Sequence, residues 1–398
     1  MHTSEPDARA VRQVLAVAPA LRGLQHAGEV LGLGKHELLH AGPPIRNPGA
    51  ACAPIAHSAI TAILFEAWAE TVDEAAALLR SGDVRLRPAQ DSGCVVPLAD
   101  VVSPSMWVQE VCDLCSPASV EWAPLNGGAE HVLRVGVLDE KVLEHLRWIN
   151  GPFAYAFRRA LKEEPIPLLT LADSGIVGGD DCHGRTGVAT SMLASELERR
   201  WTGADATACR EFLGRASSFF LNMWMAASKC MLNAARGIAG ASIVTAAGGN
   251  GTEFGIQIAS KPGAWFSASA EAPAVTPGIL PADAGPLGAI GDSAIVDCFG
   301  HGAMTTPTRG GDAARPPFAD LMPEAISVSR QLFAAAHPGF PRTEPLVILP
   351  AMRVVQSKQV PVVSLGVLDK AGQRGRLAGG FYRPPLAIFT RAVSGLGI

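Results

Sequence analysis

Four polar side chains interrupt an otherwise apolar stretch. Ser218, Asn222, Lys229 and Asn233 stand four, seven and four residues apart, which stacks them on one stripe of a helix. Their neighbours (Phe219, Phe220, Leu221, Met223, Trp224, Met225, Met231 and Leu232) are apolar on nearly every side, and such a helix is buried. A buried amine is costly without a partner. Either an internal carboxylate neutralises Lys229, or the stripe lines a pocket that takes an anion.

A second group lies in the loop GGDDCHGRT (178–186), which feeds a helix. Free amides at the helix start, with Arg185 beside them, suit an anion, and His183 suits proton transfer. The plainer alternative has Asp180 or Asp181 capping the helix and the rest solvated. Cys182 is next to His183, but chain neighbours rarely face each other, so a catalytic thiol is not expected. TAAGGNGTEFG (245–255) would let backbone N–H groups approach an anion, with Asn250 or Thr252 adding side-chain bonds. It carries neither the P-loop lysine nor a strand–GxGxxG–helix context, and a plain turn is the default. Cys112 and Cys115 form a lone CxxC without the further ligands zinc needs; no metal or other cofactor is expected. Asp292 and Arg383 add polar groups in apolar surroundings.

The elements that must position these residues alternate irregularly. Helical patterns cover 6–18, 53–80, 140–162 (broken near Gly151-Pro152), 184–201, 210–237, the longest, and 323–336. Strand patterns cover the two arms of 241–258, then 265–270, 293–299 and 360–368. Stiff Pro/Gly loops follow the apolar runs at 38–49 and 101–107. Without a regular βαβ period, a mixed, multi-domain α+β architecture is expected. It divides into an N-terminal α/β domain (1–137), a helical insert (138–208) and a C-terminal α+β domain (209–398).

Composition narrows the function classes. With 48% hydrophobic and 18% charged residues the whole chain can pack, and a formal charge of -4 offers no basic field for nucleic acid or anionic membrane. Eight widely spread cysteines argue against a disulfide framework. The charged N-terminus does not read as a signal peptide. The stretch 216–235 is nearly membrane-spanning in length but too polar, so a cytoplasmic protein is expected.

The segments LHAGPPI (39–45), VSPSM (102–106), LNGGAEHVLRVG (125–136), RW (147–148), GDDCHGR (179–185), FFLNMWMAASK (219–229), SIVTAAGGNGTEFGI (242–256), AWF (264–266), GDSAI (291–295) and GGFYRPPLAIF (379–389) occur in order along nearly the whole chain. In them the chain resembles the AllG (YlbE-like) family. The resemblance implies a subunit of an oxamate carbamoyltransferase acting late in anaerobic allantoin breakdown, in purine catabolism. That enzyme converts oxalurate and phosphate to oxamate and carbamoyl phosphate. Implied partners are FdrA-like and AllH-like subunits, with self-association left open. The chain departs from the family pattern at Gln90-Asp91 (a His pair in relatives), Gly249 (an Arg), GVLDKA (366–371, GIAHKE in relatives) and Gln356 (a Glu), which implies altered anion or proton handling.

Carbamoyl transfer needs placement of the reactants, a grip on the leaving phosphate and donors for the developing oxyanion, but no covalent intermediate. On that chemistry Lys229, Asn222 and Arg185 are expected to hold anionic groups, with Asn250 and Gly251 near the reacting carbonyl. Asp292 and Arg383 are further substrate-binding candidates. His183 is expected to move the proton, oriented by Asp181. Two other readings fit the same residues: an amide or ureide hydrolase using water as nucleophile, and a non-catalytic structural subunit beside an FdrA-like partner.

Overall fold

In the computed structural model, which describes residues 4–45, 47–162, 164–201, 206–305 and 325–396, the chain folds as mixed α+β. A four-stranded antiparallel sheet runs in the order Val120–Pro124, Trp107–Asp113, Pro19–His26, Ile166–Pro167. A second antiparallel sheet runs Phe266–Ser269, Glu253–Ile258, Val244–Asn250, Ile290–Gly291. A small mixed sheet sets Glu37–His40 between Arg85–Pro88 and Val101–Val102. A hairpin of Val363–Leu368 and Arg376–Tyr382 stands apart from these sheets.

The helix Phe219–Asn233 is the central piece. It packs on the first sheet through Trp107–Asp113 and Val120–Pro124, and also touches Val244–Asn250 of the second. That double packing explains why its sequence is apolar all round. From 140 to 215 the described chain is almost wholly helical, in the segments Glu140–Trp148, Ala154–Ala160, Leu168–Val177, Gly187–Glu198 and Ala206–Arg215.

Local chemistry explains where the elements depart from the sequence reading. The expected helix 53–80 is two, Ala53–Phe65 and Val72–Ser81. Ala67 takes a positive φ between them, and Thr71 with Glu74 forms a capping box that starts the second. The expected helix 210–237 is likewise two. The hydroxyls of Thr186 and Thr190 donate to the Ser217 carbonyl (3.1 and 2.9 Å), and the Phe220 amide donates to Thr190 Oγ1 (3.2 Å). These bonds compete with the helical ladder and end it. Residues 294–299, expected as strand, form the helix Ala294–Phe299; a short, fully buried apolar run carries no period that separates the two. The helix expected over 323–336 is Ala325–Leu332, and residues 323–324 lie outside the described residues. Among the described residues no helix is long and apolar enough to cross a membrane.

Backbones meet closely where the small sheet reaches the second sheet. Gly42, at φ +77, lies so near Gly249 that a Cβ would come within 2.4 Å of the Gly249 carbonyl carbon. Asp292 rivets the same junction. Its carboxylate accepts from Gly42 N (2.8 Å), Gln90 Nε2 (2.7 Å) and Val96 N (3.1 Å), and burial raises it to about 7 against the pull of those bonds.

Candidate functional site

A cleft of about 130 Å³ opens between the GDDCHGR loop, the first turn of Phe219–Asn233 and the 363–382 hairpin. Its lining includes Arg134, His183, Arg185, Ser218, Asn222 and Arg376, with Ser293, Ser364 and the bare backbone of Gly366, Gly379 and Gly380. Three of the expected site residues, His183, Arg185 and Asn222, therefore share one cavity.

The loop owes its shape to Asp181. Its Oδ1 accepts the backbone N–H of both His183 (2.8 Å) and Arg185 (3.0 Å), while Oδ2 accepts from Arg185 Nε (3.4 Å). Its neighbour Asp180 accepts from Val188 N and Ala189 N, the cap expected for one of the pair. Cys182, at φ +62, is fully buried with its thiol against Ala172 O, and burial raises that thiol well above its ordinary range. It belongs to the buried core.

The His183 ring finds its partner far along the chain. Nδ1 lies 2.6 Å from Asp297 Oδ2, and Asp297 Oδ1 accepts from Ala303 N (3.0 Å) and Ser364 N (3.1 Å). Ring orientation thus falls to Asp297 and not, as expected, to Asp181, whose carboxylate is committed to backbone amides. Burial raises the Asp297 carboxyl, and His183 draws it back down. With Nδ1 engaged, Nε2 is the nitrogen left for the cleft, an arrangement suited to passing a proton.

The arginines differ in their company. Arg185 has Asp181. Arg134 Nη2 donates to Gly128 O (2.8 Å) and Ser218 Oγ (3.2 Å). Desolvation lowers its guanidinium to about 10; Asp100 raises it and Arg376 lowers it further. Arg376 Nε donates to Ala378 O (3.2 Å) along the cleft rim. Asn222 Nδ2 donates to Pro124 O (2.9 Å), which fixes its amide at the cleft edge.

Other expected site residues are placed elsewhere. Lys229 does not line the cleft. It is buried two turns down the helix and donates to Thr245 O (2.6 Å); desolvation lowers its pKa, and Glu121 opposes that in part. Asn233 donates to the same Glu121 (2.5 Å). The stripe thus meets the cleft at one end and is buried at the other, where the Lys229 ammonium donates to a backbone carbonyl away from the cleft that holds His183, Arg185 and Asn222. Asn250 braces the turn after Val244–Asn250, accepting from Thr252 N, Thr252 Oγ1 and Glu253 N and donating to Pro43 O. Gly251 (φ +84) completes that turn, Asp292 is the buried rivet already described, and Arg383 is exposed away from the cleft.

Two departures from the family pattern have structural answers. Gln90 ties Asp292 to Ala247 O, and Asp91 accepts from Gln257 Nε2 and Trp265 Nε1. A side chain at Gly249 would meet Ala289 O at 2.2 Å, so an arginine has no room there. Arg134, Arg376 and Asp297 are the site residues that sequence reasoning missed. Arg134 carried a weak signal inside LNGGAEHVLRVG, as did Asp297, a carboxylate in an apolar run; Arg376 carried none.

Comparison with known proteins agrees with this framework. The profile described as oxamate carbamoyltransferase subunit AllG matches residues 84–293, just over half the chain. The chain is 29% identical to the oxamate carbamoyltransferase subunit AllG of Escherichia coli strain K12, covering 99% of this chain and 97% of that protein. It is also 29% identical to the uncharacterized protein YahG of the same strain, over 97% of this chain and 84% of that one. A conserved protein of unknown function from Enterococcus faecalis V583, known as a crystal structure, shares the fold at a TM-score of 0.85 and 24% identity, covering 98% of this chain and 97% of that one. With Arg134, His183 and Arg185 inside the matched region and the flanking strands closing the same cleft, the chain belongs to the AllG family of oxamate carbamoyltransferase subunits.

Proposed function

We propose that this chain is a carbamoyltransferase subunit whose cleft binds the small anions of the reaction, oxamate or a related amide on one side of the equilibrium and the corresponding ureide on the other. The observation that carries the reading is a histidine–carboxylate pair opening onto a cavity lined by arginines. In the synthetic direction the amide nitrogen attacks the carbamoyl carbon and a C–N bond forms. The C–O bond to phosphate breaks, and the proton lost by nitrogen passes to His183 Nε2. Arg185 and the Asn222 amide bind and orient the anionic substrate, and positive charge at the cleft wall stabilises the oxyanion. Asp181 holds the loop that presents both His183 and Arg185, while Asp297 sets the His183 tautomer.

The subunit works within a complex, with FdrA-like and AllH-like proteins as partners. A reconstituted mixture should convert oxalurate and phosphate to carbamoyl phosphate, and Arg185→Ala should abolish most of that activity. Wild-type rates in the Arg185→Ala mixture would remove the cleft from the chemistry. Activity from the partners alone would make this subunit a scaffold.

A further inference from the structure

We infer that Arg134 and Arg376, with the Ser218 hydroxyl, form an oxoanion clamp at the hairpin side of the cleft, separate from the Arg185–His183 side. This assignment deepens the transferase reading and rests on it for the direction in which the substrate lies. Three observations carry it.

First, among the described residues no carboxylate lies within ion-pair distance of either guanidinium, whereas Arg185 has Asp181. Arg134 spends only Nη2 on Gly128 O and Ser218 Oγ, and Arg376 only Nε on Ala378 O. Each guanidinium has five N–H donors, so several remain on each, and Ser218 can still donate its proton. The acid whose charge acts on Arg134 is Asp100, fully buried, with an unpartnered Oδ2 and a carboxyl that burial raises to about 7. It is a weak counter-ion near neutral pH.

Second, two like charges line one cleft, Arg134 half-buried and Arg376 exposed at its rim, and Arg376 adds to the desolvation that lowers the Arg134 guanidinium. A bound anion with two or more acceptor oxygens relieves both at once through charge-assisted, forked bonds.

Third, the wall under Arg376 is bare backbone. Gly366 and Gly379 face each other across the hairpin, and Leu365 is paired with Gly380. A Cβ at Gly366 would press on Leu98 Cδ2 at 3.1 Å and touch Arg376 Nε at 3.4 Å, and one at Gly379 would touch Arg376 Nη2 at 3.4 Å. The glycines leave the guanidinium and a ligand beside it the space that side chains would take.

The clamp recognises an oxoanion, supplied either by phosphate or by the carboxylate of the amide substrate. Titration calorimetry on the full chain, with inorganic phosphate and with oxamate separately at constant ionic strength, tests the assignment. At least one anion should bind the wild type, and Arg376→Gln should weaken it by about tenfold or more. The surface variant Arg12→Gln should not. Loss confined to phosphate identifies a phosphate subsite, and loss confined to oxamate a carboxylate subsite; either supports the clamp. Undiminished affinity in Arg376→Gln, or no binding of either anion to wild type at millimolar concentration, overturns it. Arg134→Gln should behave as Arg376→Gln does. Should it fail to fold, Arg376→Gln on the rim still decides. Arg376-dependent binding in a reconstituted complex that transfers no carbamoyl group would sink the transferase reading and leave the clamp standing.

Discussion

Two ends of one helix carry similar polar residues and do different things. At its start, Ser218 and Asn222 border a cavity that two arginines, Arg134 and Arg376, line without an ion-pair partner among the described residues. Two turns on, Lys229 and Asn233 are sealed between sheets, spending their donors on Thr245 O and Glu121. Both ends look alike as sequence, because spacing records which residues share a stripe and not which part of it meets solvent. A buried charge with its own partner is structure; a charge left without one at a cavity wall is available for a ligand.

Four measurements would sharpen or break that contrast. The largest effect is expected at the open end. His183→Ala in the reconstituted complex should lower the carbamoyl phosphate rate by about a hundredfold to ten-thousandfold. An unchanged rate would remove proton transfer from the cleft.

Next comes the sealed end, where Lys229→Met should cost roughly 3 kcal/mol of stability by stranding buried Glu121, read as a lower urea midpoint. Adding Glu121→Gln should restore part of it. If Lys229→Met instead kept its midpoint and lost activity, the contrast between the two ends would collapse.

A smaller effect concerns acids near the cleft. Asp100 and Asp292 have carboxyls raised to about 7 by burial, above the unfolded value near 4. Their protonated forms are favoured in the fold, so the stability they contribute is complete below about pH 4 and is lost as pH rises through about 7. The urea midpoint should fall between about pH 5 and about pH 8, and Asp100→Asn should flatten that slope by about 1 kcal/mol. An identical slope in Asp100→Asn would show that this carboxyl is ionised throughout. The smallest effect belongs to Cys182→Ala, which should leave the rate within about twofold, since burial disfavours the thiolate there. A large loss would return the thiol to the chemistry.

Much of the framework was legible in the chain. The 3.6-residue period marked the helices of 140–160 and the buried core helix, and the glycine loop between two apolar runs marked the hairpin of the second sheet. Helix ends were less legible where tertiary bonds impose them, as Thr186 and Thr190 do at Ser217. The cleft was legible only in part. His183, Arg185 and Asn222 lie near motifs that draw the eye, but Asp297 sits in a run with no period, and Arg376 is brought beside Arg134 by a hairpin that local pattern cannot dock. Convergence from distant segments leaves no trace in spacing.

The side-chain-free wall of the hairpin also limits how this scaffold can diversify. Replacing a wall residue usually swaps one ligand preference for another, but at Gly366 and Gly379 every replacement adds bulk and only shrinks the space. A relative adapted to a larger molecule would have to shift the whole hairpin or rewrite the opposite loop around Asp181. Divergence in ligand choice across such proteins should therefore concentrate on the histidine side, with the glycine side held as a constant floor.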